Sequence, residues 1–302
     1  MKRATLAAAF ALLSAAAAAA PVRVPFDFSR HEIGLSVQVR GQPLYMFLDT
    51  GVSPSAIDTG RARSIGLKID PHGGEATGAG DAAHVVVYPT VIDGLVVGNR
   101  PFLPIEALAV DHAAISRAYG RPVDGTLGHS FLAGHALLID YATASVAIAD
   151  RGVELAPRAA LCRTVWRLPL RSFKGDNIPM VDLVIGDTHL PASIDTGADD
   201  GVELFKGALD APAVKKALVQ SGTTRNTGAR GESTLPVYRL DAPVRLGPFV
   251  LPAGQRVTLR SDGGSASTRL VNIGNKLLAD MGVALLLDYR ANTIAFLGKC
   301  GT

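Results

Sequence analysis

The chain of 302 residues carries 30 Lys and Arg against 27 Asp and Glu, or 28 against 27 once Lys2 and Arg3 are set aside. That balance, without any Lys/Arg cluster interleaved with aromatics, excludes the electrostatic footprint of nucleic-acid binding. The length suffices for one large or two modest domains, each with ample core.

In chain order, Met1-Lys2-Arg3 leads an apolar run to Ser14 and an alanine tract that ends before Pro21. A charged start, a short apolar stretch and small residues predict a signal peptide over residues 1–20. The run is about 17 residues, mostly alanine, and a membrane span needs roughly 20 strongly apolar ones. An exported protein, periplasmic or secreted, is expected, with no membrane span after cleavage. Ser36–Arg40 alternates, Leu44–Leu48 is a continuous apolar run, and Val85–Tyr88 is β-branched and aromatic, so all three read as strands. A short helix is expected over Ile57–Gly66, with Asp58 or Thr59 as its N-cap, and another over Pro212–Gly222. Two lobes follow, residues 21–156 and 157–302, joined near Glu154–Thr164. Cys162 and Cys300 are compatible with a disulfide in an oxidising compartment, and two free thiols remain an alternative.

The two halves repeat one another. Asp49 and Asp195 stand 146 residues apart, as do Thr126-Leu127-Gly128 and Asn272-Ile273-Gly274, so each aspartate precedes its glycine by 79 positions. Thr77-Gly78-Ala79-Gly80 in the first half answers Thr227-Gly228-Ala229-Arg230 in the second. Asp-Thr-Gly occurs three times, at Asp49, Asp58 and Asp195. Only the first and third follow strand-like runs in phase with the repeat, so the copy at Asp58 is assigned to helix capping.

A duplicated lobe that delivers one carboxylate from each half brings both to a pseudo-twofold axis. Two adjacent carboxylates cannot readily both ionise, so they share a proton and titrate as a unit. Such a pair can take a proton from a water and give one to a carbonyl oxygen. Phe47-Leu-Asp-Thr-Gly51 and Ile194-Asp-Thr-Gly-Ala-Asp-Asp200, with Leu127-Gly128 and Ile273-Gly274 behind them, resemble the aspartic peptidases, more closely the retropepsin-like branch. The resemblance implies an all-β, bilobal acid-protease fold of two similar closed β-barrel-like lobes. By position, Asp49 and Asp195 match the catalytic pair, Thr50 and Thr196 the loop-locking threonines, and Gly51 and Gly197 the glycines that let backbone approach. Ser53 and Asp199 match substrate main-chain contacts, and Thr77, Gly78, Ala79, Gly80, Thr227, Gly228 and Ala229 match two flap tips. The activity implied is endopeptidase cleavage of an extended peptide or protein by a monomer, without metal or cofactor. A non-catalytic peptide-binding or inhibitor protein on the same scaffold is the alternative. Val52 and Ala198 stand where pepsins carry a hydroxyl that lowers the carboxylate pKa, so weakly acidic to neutral activity is expected.

Other motifs carry less. His129 and His135 are poorly spaced for zinc, and Gly128-His-Ser130-Phe-Leu132 lacks the second glycine of a nucleophile elbow. Gly73–Gly80 lacks the strand and helix context of a phosphate loop. Asp140-Tyr141 and Asp288-Tyr289 read as turn residues.

Overall fold

The computed structural model describes residues 20–82, 84–172, 177–261 and 269–301. Except for Ala20, the expected signal peptide lies outside the described residues.

Among the described residues strands dominate and form three sheets. A nine-stranded sheet is drawn from the first half and a ten-stranded sheet from the second. The third, of six strands, takes members from both halves, with Ala136–Asp140 beside Val283–Asp288 at its middle in antiparallel register, Leu138 opposite Leu286. Both of these strands are buried along their whole length. Successive side chains of a strand face opposite ways, so Leu137, Ile139, Leu285 and Leu287 enter the main core while Leu138 and Leu286 enter a second cluster with Leu155 and Leu297. The turn Gly152–Leu155 and the short helix Ala156–Ala159 close over that second face, so both faces are dry, which accounts for unbroken apolar runs rather than alternation. Truncating Leu138 to alanine would cost about 2–5 kcal/mol.

Cys162 and Cys300 form a disulfide between facing positions of Cys162–Pro169 and Thr293–Cys300. It fastens the chain's last strand to the strand that opens the second half.

Two parallel pairings set the site. Gln42–Leu48 lies beside Gly125–Leu127 with Leu48 opposite Leu127, and Thr188–Ile194 lies beside Val271–Ile273 with Ile194 opposite Ile273. Each strand ends immediately before an aspartate. The Asp49 N–H donates to the Leu127 carbonyl at 3.0 Å and the Asp195 N–H to the Ile273 carbonyl at 2.9 Å.

Three expectations change. Among the described residues the sheets are open, with free edges at Arg100–Pro101 and Phe249–Leu251, rather than closed barrels. The helix expected over Pro212–Gly222 stops after Pro212–Lys216, because Leu218–Gly228 is a strand of a long hairpin with Gly231–Leu240. Cross-strand pairing outweighs the helical spacing of Val214 and Leu218, and β-branched Val219, Thr223 and Thr224 favour it. At the first short helix, Ile57 and Asp58 belong to the strand Ser55–Asp58, and the helix runs Thr59–Ser64. Its N-cap is Asp58, whose carboxylate accepts the Arg61 N–H at 2.8 Å.

Candidate active site

The apolar runs before the two Asp-Thr-Gly loops bury their strands, and the loops emerge where the two halves meet. There the threonines cross over. The Thr50 hydroxyl donates to the Ile194 carbonyl at 2.7 Å and accepts the Thr196 N–H at 3.0 Å. The Thr196 hydroxyl donates to the Leu48 carbonyl at 2.9 Å and accepts the Thr50 N–H at 3.0 Å. Thr50 is 1% exposed and Thr196 fully buried, so all four bonds are shielded from competing water and hold each loop to the strand end of the other half.

This crossing brings the carboxylates together. A Cβ on Gly51 would collide with the Asp195 carboxylate, and one on Gly197 with that of Asp49, so glycine is required at both positions. The Gly51 N–H donates to Asp49 Oδ1 at 2.7 Å and the Gly197 N–H to Asp195 Oδ1 at 3.0 Å. Burial pushes the Asp49 carboxyl well above the usual carboxylate range, and the adjacent Asp195, which also shares a hydrogen bond with it, adds to the rise. The Gly51 N–H and the nearby Arg269 oppose the shift without cancelling it.

The halves differ in one respect that sequence reasoning missed. Asn272 Nδ2 donates to Asp195 Oδ2 at 2.9 Å, and its Oδ1 accepts the Ser193 hydroxyl at 2.6 Å. The matching position in the first half is Thr126. The residues after the motifs, Val52 and Ala198, offer no hydroxyl, and the donor comes instead from the residue opposite Ser193 on the neighbouring strand.

The pair opens onto a cleft of about 620 Å³ bordered by residues of both halves, among them Phe47, Tyr119, Ile178 and Phe205. Over it lie the two flap candidates. Thr77–Gly80 belong to the connection between Gly74–Ala76 and Val85–Ile92, and Thr227–Arg230 form the tip of the long hairpin. The tips touch. The Arg230 N–H donates to the Ala79 carbonyl at 2.8 Å, the Ala82 N–H to the Arg230 carbonyl at 3.2 Å, and Arg230 Nε to the Gly78 carbonyl at 2.8 Å. A second guanidinium nitrogen reaches the Ala82 carbonyl.

Ser53 and Asp199 also border the cleft. The Ser53 hydroxyl accepts from Asn177 Nδ2 at 3.3 Å. Asp199 is exposed at the cleft rim; the protein around it, with Asp200, raises its pKa and nearby His31 opposes the rise. Glu32, which carried no sequence signal, borders the cleft too. It is 8% exposed, and burial together with Asp199 pushes its pKa up to about 8.

The motifs set aside are occupied in packing. His135 Nδ1 lies 2.7 Å from the Phe131 carbonyl and its ring meets Phe102 and Phe131. His129 meets the Tyr289 ring edge-on. The Ser130 hydroxyl reaches the Glu106 carbonyl at 2.6 Å and Ser55 at 2.8 Å. Asp140 accepts from Arg158 at 3.0 Å, and Asp288 accepts the Gly152 and Ala291 N–H groups at 2.7 and 2.9 Å.

Comparison with known families finds a match within the first half. Residues 35–131 match the aspartyl protease family model. The matched segment contains Asp49, the first flap candidate and Leu127-Gly128, and it ends before Asp195. Across nearly the whole chain the fold is similar to that in the crystal structure of basic 7S globulin from soybean, with a TM-score of 0.50 at 12% identity, covering 93% of this chain and 95% of that one. A likeness at that identity speaks to fold alone, and with the match over residues 35–131 it is consistent with a bilobal, acid-protease-like β fold. A search of curated proteins finds no match. The aspartyl protease match supports a protease-like function.

Proposed function

We propose that the protein is an exported aspartic endopeptidase in which Asp49 and Asp195 activate a water against a peptide bond of a chain held extended in the cleft. The observation that carries this reading is the crossing of Thr50 and Thr196, which fixes two carboxylates side by side where they are electrostatically coupled.

The Asn272 amide donates to Asp195, so the proton that the pair shares is placed on Asp49. Asp195, facing the Asn272 amide, takes a proton from water as the water oxygen bonds to the carbonyl carbon. Asp49 meanwhile gives its proton to the carbonyl oxygen, forming a geminal diol. In the second step Asp195 returns its proton to the amide nitrogen, the C–N bond breaks, and a diol hydroxyl gives its proton to Asp49. The pair ends in its starting state, so no metal or cofactor is called for. The flaps would part to admit substrate and close over it, excluding water from the charges that develop.

Export is supported by the pattern of Met1–Ser14 and agrees with the disulfide. The lobes are taken as residues 21–156 and 157–302, acting together as a monomer.

The test is cleavage of a random peptide library, read by mass spectrometry, by the wild-type chain and by Asp49→Asn and Asp195→Asn. Cleavage by the wild type alone is expected. Equal cleavage by all three would remove the pair from the chemistry, and none by any would favour a peptide-binding protein.

A further inference from the structure

Of the four cleft carboxylates outside the dyad, two are held in ion pairs. Asp200 pairs with Arg256, and Glu203 holds Arg260 through both oxygens at 3.0 and 2.9 Å. Glu32 and Asp199 differ. Glu32 lies just ahead of the strand Gly34–Val39, 8% exposed, and its Oε2 has no hydrogen-bond partner among the described residues. Asp199 comes from the other half of the molecule and lies near enough to repel it. Arg30, the adjacent cation, is turned to other contacts: its guanidinium donates to the Ala118 carbonyl at 2.9 Å and stacks 5.4 Å from the Tyr119 ring centre. Arg269, also in the cleft, acts on Asp49.

A buried carboxyl whose Oε2 has no partner holds on to its proton, because the fold has removed its water and the nearby Arg30 charge compensates only in part. A ligand cation arriving there displaces that proton from a group already desolvated, so its attraction is felt at low effective dielectric and little further dehydration of the protein is needed. The wall beside Glu32 includes Tyr119, whose ring lies 4.9 Å from that of Phe47. Aromatic faces of this kind suit the aliphatic stem of a long basic side chain.

We propose that Glu32, with Asp199 across the cleft from it, forms a subsite for a lysine or arginine side chain of the bound peptide. The inference rests on the endopeptidase reading for its ligand, a peptide, and goes beyond it in naming the class of side chain selected.

The test measures binding separately from cleavage. The Asp49→Asn/Asp195→Asn protein is titrated by fluorescence anisotropy with labelled octapeptides in which lysine or its uncharged isostere norleucine is placed at each position in turn. At one position lysine should bind about tenfold tighter or better. Adding Glu32→Gln should bring that ratio to near one, and adding Asp199→Asn should lower it. Should the Glu32 variant fail to fold, the Asp199 variant at the cleft rim still decides the matter. Equal affinities for lysine and norleucine at every position, or a lysine preference that both substitutions leave intact, would overturn the subsite. Failure of the wild-type chain to cleave any peptide in the library would instead overturn the endopeptidase reading.

Discussion

Replacing Thr50 by valine keeps the side chain's volume and removes its hydroxyl. Two bonds are lost, to the Ile194 carbonyl and from the Thr196 N–H. Both orphaned groups are buried, and leaving a buried polar group without its partner costs about 1–3 kcal/mol each. A loss of about 2–6 kcal/mol is therefore expected, with no cavity contribution. Both groups also flank Asp195, so the disturbance falls on the spacing of the two carboxylates, and a displacement of about 1 Å there can lower turnover ~100-fold. Urea denaturation followed by fluorescence of Trp166 gives the stability, and kcat/KM on a cleaved peptide gives the activity. Thr50→Ser, which keeps the hydroxyl, should recover most of both. A valine variant within about 0.5 kcal/mol of wild type, the usual range of inconsequential surface changes, and with unchanged kcat/KM would refute the argument that these bonds hold the dyad.

The pH dependence of stability isolates Glu32. Its pKa is pushed up to about 8 from 4.5, so between those values the unfolded chain has lost a proton that the folded chain keeps, and stability falls as pH rises. At about 1.4 kcal/mol per pH unit, Glu32→Gln should match wild type below pH ~4.5 and exceed it by up to about 4 kcal/mol near pH 8, seen as diverging Tm values; parallel Tm curves would contradict this. Asn272→Leu removes the amide donor from the dyad, a charge-assisted bond of about 1.5–3 kcal/mol. The kcat/KM should then fall about 10- to 100-fold, and an unchanged kcat/KM would show that Asn272 has no electrostatic role. Arg230→Met keeps the stem but loses the guanidinium contacts to the Gly78 and Ala82 carbonyls. Hydrogen exchange at the Ala82 and Arg230 amides should accelerate about tenfold or more as the tips part more often, and unchanged exchange would mean the backbone contacts alone hold them.

Much of this was legible because the site depends on chain register. The 79-residue interval from Asp49 to Gly128 and from Asp195 to Gly274 is the length of chain that returns to lie parallel beside the aspartate's strand, with Leu48 opposite Leu127 and Ile194 opposite Ile273. A register of that kind leaves a trace in spacing. Asp58 lacked it and proved to cap a helix. Asn272 was hidden because only its apolar-Gly neighbours carried the pattern, and its contact with Asp195 runs between adjacent strands. Glu32 had no local signal at all, since its burial arises from segments distant in sequence. Arg230 stood out as the residue replacing Gly80 in the repeat, but its grip on the other flap is a tertiary contact. The strand Leu218–Gly228 was obscured by helical spacing at its start, and whether a sheet closes on itself is decided by pairings at its edges, which composition does not encode.

The central claim is that carboxylates from the two halves act on one another as a pair. Aspartate labelled with ¹³C at the carboxyl, followed by NMR through a pH titration, reads this directly by comparing wild type with Asp195→Asn. In the wild type Asp49 should titrate well above the usual carboxylate range. In the variant it should fall toward the usual range while staying above it, because the neighbouring charge is gone while burial remains. An Asp49 titration that is ordinary in the wild type, or unchanged by the loss of Asp195, would contradict the account.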